Sequence, residues 1–137
     1  MYVHATPDTP FAIDLDWWDR HGRNLRRFLW EILGEDEGDG EALGDEPLDY
    51  IDKQTGEVFQ LDPLWTRVLV DKAHRPDYIT TSTPLTNAVL RALIENRNEP
   101  MTVVQLQRRL NRSDPRTLLR LMKAARSQYG IVPVGES

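Results

Sequence analysis

The segment from Thr83 to Val134 constrains the fold of this 137-residue chain more than any other, because several independent local signals in it agree on one order: helix, helix, tight turn, helix, strand. Thr83 followed by Pro84 reads as a cap and a first helical position, where the missing proline N–H costs nothing. Along PLTNAVLRALIENR, Leu85, Val89, Leu90, Leu93 and Ile94 recur at the three-and-four spacing of one buried face, and Asn87, Arg91, Glu95 and Asn98 are left for the other. Asn96, Asn98 and Pro100 end this first helix. Thr102 and Gln105 have the spacing of a capping box, with Met101 and Leu106 as the hydrophobic staple around it, so a second helix starts there. Val103, Leu106 and Leu110 face inward; Gln107, Arg108, Arg109 and Arg112 belong to the wet side. Asn111, Arg112 and Ser113 then form a short corner before Asp114-Pro115, a second cap-then-proline opening.

The third helix, from Pro115 to about Gln128, sorts its residues by face. Leu118, Leu121, Met122 and Ala125 point inward. Arg116, Arg120, Lys123 and Ser127, spaced four, three and four apart, make a polar and basic stripe with Thr117 beside it. Gly130 stops the helix, and Ile131-Val132-Pro133-Val134 is a short apolar strand.

The pattern VLRALIENRNEPMTVVQLQRRLNRSDPRTLLRLMKAARSQYGIVPV resembles a winged helix-turn-helix domain over roughly the last 50 residues. The T-x-x-x-L start of the second helix and the S-D-P-R-T start of the third carry that resemblance. It implies a duplex-DNA-binding protein, a transcriptional regulator, whose helix at 115–128 enters the major groove. Arg116, Thr117 and Arg120 would then reach base edges, and Arg108, Arg109, Arg112 and Lys123 would hold phosphates. The chain departs from the pattern after the strand. A full wing needs a hairpin, yet the chain ends three residues beyond Val134. Either the wing is reduced to one strand or its partner strand comes from elsewhere in the chain.

The charge distribution sets this segment apart. Residues 81–137 hold nine Lys/Arg and four Asp/Glu, a net +5, whereas residues 1–80 hold eight Lys/Arg and eighteen Asp/Glu, a net −10. A basic module is thus joined to an acidic one, and a basic face attracts phosphates even on an acidic protein. The bland alternative is that arginine is a good helix former on any solvated face. No apolar run approaches the roughly 18 residues of a membrane span, and Met1-Tyr2-Val3-His4 opens no signal peptide, so a cytoplasmic, membrane-free protein is expected. The absence of cysteine excludes disulfides, thiolate zinc sites and thiol nucleophiles.

Residues 1–34 read as an N-terminal arm, extended from Met1 to Ile13, followed by a Trp/Arg-rich helix capped by Asp14 or Asp16. Its sequence WWDRHGRNLRRFLWEIL places Trp18, His21, Leu25, Phe28, Leu29 and Ile32 along one seam flanked by Arg20, Arg23, Arg26 and Arg27. Trp17, Trp18 and Trp30 are more tryptophan than one stripe hides. Either another segment covers them, or they form a homodimer or partner surface.

Residues 35–47 continue from Gly34 as an acidic flexible linker, GEDEGDGEALGDEP holding four glycines and seven acidic residues. In residues 48–82, LDYID and VFQL predict a hairpin turned at Lys53 to Glu57, with Gly56 supplying the positive φ, and Asp62-Pro63 opens a helix that Arg75-Pro76 terminates. This hairpin is a candidate partner for the strand at Ile131. The chain is therefore expected to be mainly α with small β (α+β), with a winged-helix-like module at residues 83–137.

Catalytic chemistry finds little support. His4, His21 and His74 lack metal-ligand spacing, no glycine-rich phosphate loop exists, and Ser82 and Ser113 read as cap or turn residues rather than nucleophiles. No catalytic residue, metal or cofactor is expected. The competing reading is a non-enzymatic protein-protein interaction module on the same scaffold, either a small subunit of a larger complex or a factor binding transcription machinery.

Overall fold

The computed structural model describes residues 6–34, 46–52 and 54–134. In chain order these form β1 (Pro10–Ile13), α1 (Leu15–Arg20), α2 (Leu25–Leu33), β2 (Leu48–Ile51), β3 (Val58–Leu61), α3 (Pro63–Asp71), α4 (Leu85–Glu95), β4 (Met101–Thr102), α5 (Val103–Leu110), α6 (Pro115–Tyr129) and β5 (Ile131–Pro133). Helices dominate, with two small antiparallel sheets, one of three strands in the order β4-β1-β5 and one formed by β2 and β3. The chain divides into two compact units: residues 1–23 with 79–137, and residues 24–78 inserted between them.

The first unit is built around β1. The opening segment is not a surface arm at this point. Pro10–Ile13 forms the central strand, with Phe11 opposite Pro133 on one side and opposite Met101 on the other. Phe11, Ala12 and Ile13 are buried. The strand partner of Ile131 is thus β1 and not the hairpin at 48–61, which pairs only with itself among the described residues. β4 spans two residues, too short to run the length of β1. Asn98 fills the gap: its side-chain Oδ1 accepts the Ile13 N–H at 2.8 Å and its Nδ2 donates to the Ile13 carbonyl at 2.9 Å. One amide side chain therefore replaces a missing stretch of strand.

The helix boundaries follow from capping. Thr102 accepts from the Gln105 N–H at 3.1 Å while the Gln105 side chain accepts from the Thr102 N–H at 2.9 Å, the expected capping box. Asp114 caps α6 and Asp62 caps α3, each followed by proline at the first helical position. Thr83 differs: its hydroxyl accepts the Thr80 N–H, Pro84 occupies the cap position of α4, and no side chain caps that helix. At the far end of α4 the Arg97 N–H bonds to Ile94 and the Asn98 N–H to Leu93, a Schellman closure that sets Arg97 and Asn98 at positive φ.

The predicted tryptophan-rich helix is two helices. After Arg20 the Gly22 N–H donates to Asp19 and the Arg23 N–H to Trp18, another Schellman closure with Gly22 at φ +68°, and Asn24 then caps α2. The expected seam is broken at that point, between the two compact units, and His21 lies exposed rather than at the edge of a core. Trp18 is buried and its Nε1 donates to the Tyr129 carbonyl at 2.8 Å, which removes it from any partner surface. Trp17 and Trp30 are half-buried. In the second unit α2 packs on α3, where Leu29, Leu33, Leu64 and Val68 form the core, and the β2–β3 hairpin turns with Gly56 at φ +76° as expected. Most of the acidic linker at 35–47 lies outside the described residues.

Candidate nucleic-acid interface

α6 is amphipathic by the rule that residues three and four apart share a face. Leu118, Met122 and Ala125 are buried, and Leu121, expected to be buried, is half-exposed. On the outer side Arg116, Thr117, Arg120 and Lys123 are all exposed. Arg126, three residues beyond Lys123, is exposed as well and adds a cation absent from the expected set, though its helical offset would have found it. From Pro115 to Tyr129 the helix holds four cations and no carboxylate. The Ser127 side chain lies outside the described residues.

The carboxylate that caps this end is Asp114. Its Oδ1 accepts the Thr117 N–H at 2.7 Å, and the Thr117 hydroxyl also bonds to it; these two contacts hold its carboxyl below the ordinary carboxylate value, with the Arg116 backbone N–H and charge adding a smaller push in the same direction. The N-terminus of α6 therefore already carries a negative charge. An anion binding this helix would have to do so through its side chains.

The remaining basic residues divide by how they are held. Arg108 is exposed on α5. Arg109 is half-buried and its Nε donates to Glu95 on α4 at 2.8 Å. Arg112, in the corner between α5 and α6, donates to the carbonyls of Thr83 at 2.7 Å and Thr80 at 3.2 Å. The corner itself needs two non-glycine residues at positive φ, Asn111 and Ser113, and the Arg112 bonds anchor it between them. The structure therefore separates the predicted phosphate contacts into two kinds. Arg108 and Lys123 make no ion pair among the described residues, whereas Arg109 and Arg112 already brace the packing of α5 and the corner.

No family model, curated protein or solved structure matches this chain.

Away from this face, α1 lies against the C-terminal end of α6. Trp17 stacks on His21 with ring centroids 4.1 Å apart, and the Arg23 guanidinium lies 5.3 Å from the Tyr129 ring and within 6 Å of both Trp17 and Trp18. Gly130, at φ +62°, is what allows this approach, since a Cβ there would lie 2.6 Å from the Trp17 ring. These aromatic groups stabilise the join of α1 to α6 and lie off the Arg116–Lys123 stripe, because Tyr129 sits on the buried side of the helix. Of the histidines, His4 lies outside the described residues and His74 is exposed.

Proposed function

We propose that this chain is a DNA-binding protein, a transcriptional regulator that lays α6 in the major groove of duplex DNA. The observation that carries this reading is the outer face of α6, where Arg116, Arg120, Lys123 and Arg126 are exposed on a helix with no carboxylate of its own. Such a row releases condensed counterions when it meets phosphates, which favours binding even for a protein of net charge −5. Arg116, Thr117 and Arg120 stand in the N-terminal half of the helix, where recognition helices present their base contacts; Lys123 and Arg108 serve phosphates.

The resemblance to a winged helix-turn-helix gains support from the sheet. β4, between α4 and α5, and β5, after α6, flank β1. In this reading β1 takes the place of the returning wing strand, delivered from the N-terminal end of the sequence. Val134 N–H bonds to the Pro10 carbonyl at 2.8 Å, so the wing position holds two separate chain segments rather than one hairpin.

The test is fluorescence anisotropy of the full chain with duplex DNA selected from a random pool and with its scrambled counterpart. Arg120→Ala is expected to reduce discrimination between the two by roughly 5- to 150-fold, the range of one bidentate base contact. If wild type binds neither duplex at low salt, the assignment fails.

One observation favours a protein-interaction reading of the second unit. Ile51 and Val58, opposite one another in the hairpin, are about 60% exposed, an apolar pair beside exposed Asp49 and Gln60. That reading concerns a different surface and is compatible with DNA binding by α6. No helix of the described residues is long and apolar enough to cross a membrane.

A further inference from the structure

We propose that α6 reads guanine, and that the preferred duplex carries two guanines about two base pairs apart, one bound by Arg116 and one by Arg120. This inference rests on the DNA-binding reading above. The base-reading chemistry on this helix is narrow. Between Pro115 and Ala124 there is no Asn, Gln, Asp or Glu, so the amides that pair with adenine and the carboxylates that accept from cytosine are absent from the half of the helix that would reach base edges. The exposed residues there are Arg116, Thr117, Arg120, Lys123 and Ala124; Lys123, nearest the middle of the helix, is the one assigned above to phosphates. Arginine pairs bidentately with guanine O6 and N7, and a threonine methyl packs on the thymine methyl.

The contacts within the chain sharpen this choice. Arg109 and Arg112 are engaged with Glu95 and with the Thr80 and Thr83 carbonyls, whereas Arg120 makes no ion pair or hydrogen bond among the described residues. Asp114 is committed to capping, its Oδ1 accepting the Thr117 N–H, so it offers no free carboxylate to a cytosine. Arg116 and Arg120 are one turn apart. Four residues of α-helix advance about 6 Å, and stacked bases about 3.4 Å, which gives the spacing of about two base pairs.

The experiment is repeated selection of a random duplex pool by the full chain, for wild type, Arg116→Ala and Arg120→Ala, each checked for native circular dichroism. Wild type is expected to enrich sequences sharing two guanines about two base pairs apart. Each alanine variant should lose preference at one of the two positions by roughly 5- to 150-fold. In the enriched duplex, 7-deazaguanine at that position should weaken wild type and leave the matching variant unchanged, because it removes the N7 acceptor. Enrichment centred on adenine, or a guanine preference that survives both substitutions, overturns the proposal. Uniform retention of the pool without enrichment overturns guanine reading alone and leaves DNA binding standing; no retention at low salt overturns both.

Discussion

Asn98 illustrates how much one side chain does in this fold. It sits at φ +57°, a conformation asparagine tolerates, and its amide satisfies both backbone groups of the buried Ile13. Asn98→Ala leaves that N–H and C=O unmet, at about 1–3 kcal/mol each, so urea denaturation should show a loss of roughly 2–6 kcal/mol; a loss under about 0.5 kcal/mol would show that the clasp contributes little. Asp114 acts through charge as well as geometry. Its carboxyl is held below the ordinary value in the folded state, chiefly by the Thr117 N–H, so its ionised form stabilises α6 above the unfolded-state value and that contribution is lost as pH falls through the lowered one. Asp114→Asn keeps a capping oxygen without the charge. The difference in thermal midpoint between wild type and Asp114→Asn should be constant above about pH 5 and shrink in more acidic buffer; a difference that does not change with pH would contradict this.

Among the elements, β1 is the piece on which the first unit depends, since both β4 and β5 reach the sheet only through it. Ala12→Pro places a proline in a central strand, removing a ladder donor where none can be spared. It should lower the thermal midpoint of the helical signal, measured by circular dichroism; an unchanged melting curve would mean that α4 to α6 stand without the strand. The sequence made some of these elements legible and others not, for a physical reason. Thr102 with Gln105, Asp114-Pro115, Asp62-Pro63 and the Gly56 turn act over a few residues, and each appears where it was expected. β1 does not announce itself, because four residues, PFAI, carry little period and their partners lie about 90 to 120 positions away. The break at Gly22 was readable in principle. A glycine before Asn24 is a stop followed by a cap, but the apolar seam across it suggested one continuous helix. The exposed face of α6 could be read from helical offsets alone, whereas the engagement of Arg109 and Arg112 could not, since their partners come from other segments.

In the whole molecule the charge is divided between the two units. Residues 24–78 carry fourteen Asp/Glu against six Lys/Arg, while the unit containing α6 carries eleven Lys/Arg against eight Asp/Glu. Net charge alone would predict repulsion from DNA, so affinity in this account must come from the local row on α6 together with Arg108, and it must be sensitive to salt. The most direct measurement is the anisotropy of labelled random duplex titrated with the full chain over a range of salt concentrations, for wild type and Lys123→Ala. The account predicts binding at low salt with a log–log slope of roughly −2 to −3, the release expected for phosphate contacts by Arg108, Lys123 and Arg126, and a slope shallower by about one for Lys123→Ala. Absence of binding at low salt, or a slope that Lys123→Ala leaves unchanged, would contradict the claim that this face of α6 meets DNA.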